Sequence, residues 1–195
     1  MIICFEGIDG CGKSTQVRLL TEKLRREGRK VEIVKHPGQT EFGQEVRRLI
    51  LEGVQPRSDL AHRLLFWADL AETAEAYKKN VDFLIFDRHP QFSNYAYGAG
   101  MPGFDAGLHF ALVHLLEKYC PGPQKTFVID VPVQVAFERI ERRGKLTVIE
   151  KRGREYFETV RYAYLNLATM YPDVFVVDGT KDVQEVFQDV LKRLF

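Results

Sequence analysis

The 195 residues contain only three cysteines, three methionines and one tryptophan. Cys4, Cys11 and Cys120 are odd in number and far apart, without metal-ligand or redox spacing. That excludes a disulfide scaffold and a cysteine-based zinc site, and it fits reduced thiols in a cytosol. An excess of charge of either sign is also missing. Twenty-eight Lys and Arg oppose 27 Asp and Glu, for a net charge of +1. Such a balance gives no general attraction to nucleic acid or to an anionic membrane, so neither is expected as a partner. No apolar run approaches the ~18 residues of a membrane helix. The start, MIICFEG, has no basic stretch and no small-residue cleavage site, so no secretory leader is expected and the location is expected to be cytoplasmic. The composition, 45% hydrophobic and 28% charged, is that of a globular protein, and the length suits one domain spanning 1–195.

Five short apolar runs rich in β-branched and aromatic residues punctuate the chain: Ile2 to Phe5, Val31 to Val34, Phe83 to Phe86, Thr126 to Ile129 and Val174 to Val177. Runs of this length, bounded by charge, Gly or Pro, read as buried parallel strands. Between them lie helical patterns. Val17, Leu20 and Leu24 share one face. So do Val183, Val186, Phe187, Val190, Leu191 and Leu194, after an Asp182/Glu185 capping box. Strands alternating with helices predict a three-layer α/β fold with a parallel sheet.

The most specific motif follows the first run. Gly7-Ile8-Asp9-Gly10-Cys11-Gly12-Lys13-Ser14-Thr15 is G-x-x-x-x-G-K-S between a strand and a helix. Glycines let the backbone curl so that several N–H groups face one phosphate, and the helix starting near Lys13 adds the positive end of its dipole. Lys13 would reach the β- and γ-phosphates, and the Ser14 hydroxyl would ligate Mg²⁺. All nine loop residues are therefore expected to bind ATP.

No N-K-x-D stands in the chain to read guanine, and the length argues against a motor or transporter ATPase. A small-molecule kinase needs a cationic acceptor clamp and a closing lid. Asp87-Arg88-His89 ends the third strand, where ligands of open α/β sheets bind. Arg88 there would clamp an acceptor phosphate, and Asp87 would join the Mg²⁺ water shell. A turn cap with a surface arginine is the plainer reading. The segment 139–154 carries seven basic residues against two acids. Arg139, Arg142 and Arg143 recur at helical spacing, Lys151 and Arg152 follow, and Gly144 and Gly153 flank the stretch. It reads as a mobile basic lid, or as a solvated helix end.

Together these residues resemble the thymidylate kinase family of nucleoside monophosphate kinases. FEGIDGCGKST is similar to the family's phosphate loop. FDRHPQFSNYAYGAG is similar to its acceptor segment at Asp87, Arg88, His89, Ser93, Ala96 and Tyr97. LLFWAD resembles its L-L-F-x-A-x-R helix, and HPGQT, with Pro37, resembles its E-P-G-G-T turn. The resemblance implies a five-stranded parallel sheet in the order 2-3-1-4-5, a homodimer, ATP with Mg²⁺ as donor and thymidine monophosphate (dTMP) as acceptor. It implies Asp9 at the sugar 3′-hydroxyl, Phe66 stacked on the base, and Arg88 and Arg47 on the acceptor phosphate, with Ser93 and Tyr97 against the substrate. Arg48 adjoins Arg47 and competes for its role, and Leu64 and Leu65 allow a core reading of Phe66. The loop has no arginine at Gly10 or Cys11, so the lid is expected to supply it. Arg143 aligns best and Arg139 also matches. Two positions depart from the family around the base: Leu70 replaces its arginine, and Gly98 follows the Ala-Tyr pair. A kinase of another nucleoside monophosphate or a deoxynucleoside, and a non-catalytic nucleotide-binding module, are the alternatives.

Overall fold

A computed structural model describes residues 1–52, 58–77, 79–144 and 146–195. Its centre is a five-stranded, all-parallel sheet in the order β2-β3-β1-β4-β5, as the resemblance implied. The strands are β1 Ile2–Glu6, β2 Val31–Lys35, β3 Phe83–Asp87, β4 Lys125–Asp130 and β5 Val174–Asp178. Each extends one residue beyond the apolar run that signalled it, to Glu6, Lys35, Asp87, Asp130 and Asp178. The runs stop at the first charge, but backbone pairing does not: Phe5 and Lys35 both pair with Asp87, and Glu6 pairs with Val128. This places a row of charged residues along the carboxyl edge of the sheet.

The helices are α1 Lys13–Arg26, α2 Glu41–Leu51, α3 Asp59–Glu72, α4 Ala74–Tyr77, α5 Pro90–Ala99, α6 Ala106–Glu117, α7 Val133–Arg143, α8 Arg154–Met170 and α9 Val183–Leu194. Val17, Leu20 and Leu24 of α1 are buried in the main core with Ile3, Phe5, Phe127 and Ile129. The capping box of α9 is complete, with Asp182 accepting from Gln184 N–H and Glu185 reaching back to Asp182 N–H. Val183 is a correction to its expected buried face. It is 45% exposed, because the first residue of α9 precedes the turn that meets the sheet. A smaller cluster joins Trp67 and Leu70 of α3 to Cys120, with Leu112, Val113 and Leu116 of α6 and its C-terminal side packed against it.

Order at the carboxyl edge is what builds the site. β1 lies between β3 and β4, so the loop after β1 and the turn after β3 open side by side. Helices α3 and α5 wall that opening, in contact with each other.

Candidate active site

The phosphate loop runs from β1 into α1. Gly10 has φ +80°, and a Cβ there would stand 2.5 Å from the Ala136 carbonyl oxygen of α7. Only glycine permits both the left-handed backbone and this approach. Ile8 and Cys11 are 2% and 1% exposed and pack in the core, so only their backbone is left to meet a ligand. Asp9, Gly10, Gly12, Lys13, Ser14 and Thr15 line a cavity of about 450 Å³, whereas Gly7 does not. Arg139 of α7 donates to the carbonyls of Gly10, Cys11 and Gly179. It braces the loop from behind as well as lining the cavity.

Ser14 Oγ–H donates to Asp87 Oδ2 at 2.6 Å. The hydroxyl and the carboxylate expected around Mg²⁺ are thus adjacent, and hard oxygen donors of this kind fit that ion. No group of three His, Cys, Asp or Glu suited to a metal occurs among the described residues.

Arg88 is a largely buried arginine, its side chain 12% exposed, with φ 76°, a conformation uncommon outside glycine. Two backbone bonds hold it: Arg88 N–H to Phe5 O at 3.1 Å and His89 N–H to Glu6 Oε1 at 2.7 Å. Its Nη2 donates to Asp9 Oδ1 at 2.7 Å and to Tyr97 Oη at 2.8 Å; its Nη1 donates to Tyr164 Oη at 2.9 Å and lies 3.6 Å from Glu6 Oε2. Tyr164 in turn donates to Glu6 Oε2 at 2.8 Å. Burial pushes the Glu6 carboxyl up, against the pull of Arg88. Burial would also raise Asp9, but Arg88 and Lys13 outweigh it and hold its carboxyl below the ordinary value. Arg88 is therefore a largely buried, pre-aligned cation lining the cavity, and not a surface arginine.

Among the acceptor-side residues, Phe66 lines the cavity and is only half-buried, its ring 5.7 Å from that of His62 and 6.2 Å from that of His36. It is a wall residue and not part of the core. Pro37, Ser93 and Tyr97 line the same space. Arg47 does too and donates to Pro37 O at 3.0 Å, whereas Arg48 pairs with Glu45 on the surface of α2. The neighbours are thereby told apart.

The lid stretch divides. Arg139, Arg143 and Arg152 line the cavity; Arg142 and Lys151 do not. Arg142 falls off the face that α7 turns to the loop. Lys145 lies outside the described residues. Arg143 Nη2 meets Glu150 Oε1 at 2.5 Å, and Thr147 N–H donates to Glu150 Oε2 at 2.7 Å. The stretch is folded on a buried glutamate, with Gly144 and Gly153 at φ 90° and 88° at its ends.

Leu70 is 1% exposed, packs with Trp67 and Cys120, and does not line the cavity. The cavity instead brings in His36, His62, Arg63, Asn94, Met101 and Tyr156, none of which the sequence reading assigned. Asn94 adjoins Ser93 and Arg63 lies one turn before Phe66, so helical spacing was the signal for both. His36 is buried with its Nδ1 2.6 Å from Asp69 Oδ2, a pairing across 33 positions that no local pattern announces.

A phosphate loop under a five-stranded 2-3-1-4-5 sheet, with a buried arginine at the neighbouring strand end and a basic flap beside it, defines a P-loop nucleotide kinase. The family model for thymidylate kinase matches residues 5–190, and the chain belongs to the thymidylate kinase family, as an ATP-dependent nucleoside monophosphate kinase. It is 39% identical to the thymidylate kinase of Thermosipho melanesiensis over 202 residues, covering 100% of this chain and 96% of the relative. It is 36% identical to that of Fervidobacterium nodosum over 200 residues, covering 98% and 97%. Among solved structures, the thymidylate kinase from Ehrlichia chaffeensis superposes with a TM-score of 0.77 at 28% identity, over 100% of this chain and 98% of that one.

Proposed function

We propose that the chain transfers the γ-phosphoryl group of ATP to dTMP, giving ADP and thymidine diphosphate, and that it does so as one kinase domain with residues 139–154 as its lid. The observation that carries this reading is the shared cavity: the phosphate loop, Arg88 and Phe66 all line one space.

Loop N–H groups and Lys13 hold the donor phosphates. Ser14, with Asp87 behind it, would hold Mg²⁺, which when bound neutralises charge on the transferring phosphoryl. Arg88 and Arg47 draw the acceptor phosphate into line, and Asp9 meets the sugar hydroxyl. Phe66 supplies a π-face for the base and Tyr97 closes the sugar side. The acceptor oxygen is already anionic, so alignment and charge neutralisation are the main needs. Arg143 and Arg152 line the cavity, which supports them as the lid cations; Arg143 would exchange Glu150 for phosphate. Lid closure also keeps water from taking the phosphoryl group.

A cytoplasmic homodimer belongs to this reading. Helix α6 is mostly apolar, yet only His109 in it is buried, and Leu60 and Leu64 of α3 and Leu115 of α6 are exposed. An exposed apolar face of that kind suits a two-fold dimer, which sedimentation would test. No helix of the described residues is long and apolar enough to cross a membrane.

ADP release from ATP–Mg²⁺ with dTMP, compared with deoxyuridine, uridine and adenosine monophosphates and free thymidine, tests the activity. Preference for dTMP is expected. ATP binding without acceptor-dependent ADP would overturn the reading.

A further inference from the structure

Asp69 of α3 is a fully buried carboxylate that does not line the cavity, and no step of the proposed transfer uses it. A buried carboxylate is costly unless partners are fixed around it. Its partners come from one short turn, His36 to Thr40, which joins β2 to α2. His36 Nδ1 stands 2.6 Å from Asp69 Oδ2. Gly38 N–H donates to both carboxylate oxygens at 3.2 Å. Gly43, in the first turn of α2, leaves room for the carboxylate, since a Cβ on it would overlap Asp69 Oδ1. The carboxylate is thus held by the turn at two points and covered by the start of α2.

The same turn reaches the cavity. Pro37 O accepts from Arg47 Nη1 at 3.0 Å. Gly38 has φ +109°, and a Cβ there would stand 2.9 Å from Arg47 Cδ, so the arginine stem lies against the turn. His36, Pro37 and Arg47 all line the cavity. On α3, Asp69 follows Phe66 by three residues, which puts the two on one face, and the His36 ring lies 6.2 Å from that of Phe66. Asp69 therefore ties the helix that carries Phe66 to the turn that carries Arg47.

We propose that Asp69 is a positioning residue for the acceptor phosphate: it holds the 36–38 turn to α3, and the Pro37 carbonyl of that turn aims Arg47. The inference rests on the proposed role of Arg47 at that phosphate. Asp69 acts through the turn and does not touch the substrate. Its link also sets the span from Phe66 to Arg47, which a nucleoside monophosphate has to bridge from base to phosphate.

The sign of the effect separates alignment from charge. Burial and the neighbouring Arg88 pull the Arg47 pKa down, and Asp69 is among the carboxylates that oppose them. Removing a negative charge from this region would by itself favour an anionic ligand. Lost alignment weakens the same ligand.

Calorimetric titration of the full-length protein with dTMP and with thymidine tests this, because thymidine lacks the phosphate. Asp69→Ala removes both acceptor oxygens. It is expected to weaken dTMP about tenfold, with thymidine changed less than about twofold. Asp69→Asn keeps the shape and one acceptor oxygen, and should weaken dTMP by about threefold. Arg47→Gln should weaken dTMP by about tenfold or more. Adding Asp69→Ala to it should cost nothing further, since both act on one contact. An equal loss on dTMP and thymidine would overturn the proposal in favour of packing, and tighter dTMP binding would overturn it in favour of charge. Full additivity in the double variant would also overturn it, by showing that Asp69 does not work through Arg47. If Asp69→Ala does not fold, unchanged dTMP affinity in Asp69→Asn overturns it. Unaltered dTMP affinity in Arg47→Gln would sink the role of Arg47 itself, whereas additivity leaves that role standing, so the two failures are distinct.

Discussion

Asp9 and Arg88 meet at 2.7 Å across the space between the phosphate loop and the end of β3. One carboxylate thereby neutralises part of the cation that the proposed function assigns to the acceptor phosphate. The phosphate has to compete with Asp9 for Nη2, while Tyr97 and Tyr164 keep the guanidinium in plane. Asp9→Asn leaves a neutral hydrogen-bond acceptor, so it should tighten inorganic phosphate binding in the acceptor subsite. It should lower turnover of dTMP through the lost sugar contact. Calorimetric titration beside kinetics separates the two effects, and weaker phosphate binding would disprove the competition.

Arg88→Ala should cut kcat by several orders of magnitude. Arg88 is also the ion-pair partner of the fully buried Glu6, so truncation leaves a carboxylate buried without its cation. Removing one member of such a pair costs about 3–5 kcal/mol, and melting should fall by roughly 10 °C. Loss of activity with an unchanged melting temperature would show that Glu6 does not depend on Arg88.

Lys13→Ala is the contrasting case. Lys13 is also buried, but its closest carboxylate, Asp9, stands 3.8 Å away, so its loss breaks no tight ion pair. Its removal should lower kcat by several orders of magnitude while leaving the melting temperature within about 3 °C. Near-normal turnover would remove Lys13 from the donor site.

Arg143→Ala and Arg152→Ala should each lower kcat by about tenfold to a thousandfold, and Arg142→Ala should have almost no effect, since only the first two line the cavity. Single-turnover phosphoryl transfer is the measurement. A large loss in Arg142→Ala would mean that the segment rotates on closing.

Acid should destabilise the fold earlier than carboxylate titration alone predicts. Burial, with His36 nearby, lowers His89 to about 3, and burial lowers His109 to about 4. The unfolded chain takes up protons at these imidazoles below about 6.5, and the folded chain does not until about 3–4. Stability contributed by keeping them neutral is complete above about 6.5 and is lost as the pH falls. Thermal melts from pH 7 to 4 should show a falling Tm, with a shallower slope in His109→Gln. An equal slope in that variant would exclude His109 from the effect.

Much of this was legible in the sequence because it is local. The glycines of the phosphate loop, the apolar runs of the strands and the capping box of α9 are short-range patterns, fixed by backbone sterics and by periods of two and 3.6 residues. The sheet order came through family resemblance, and the fold has that order; of the neighbours Arg47 and Arg48, Arg47 lines the cavity. Where apolar patterning failed, at the charged last residue of each strand and at Val183, the cause was that pairing and burial end at different residues.

The sequence by itself determined the parallel α/β sheet, the phosphate loop and the positions of Arg88 and Phe66, because spacing along one chain carries that information. Only the tertiary structure decided which partners those residues meet. Glu6, Arg88 and Tyr164 come from β1, the end of β3 and α8; Asp69, His36 and Arg47 come from α3, the turn after β2 and α2. Contacts between elements far apart in sequence depend on how the elements pack. Burial then fixes the outcome physically, since a buried charge must find its counter-charge and a buried donor stays costly until a partner arrives.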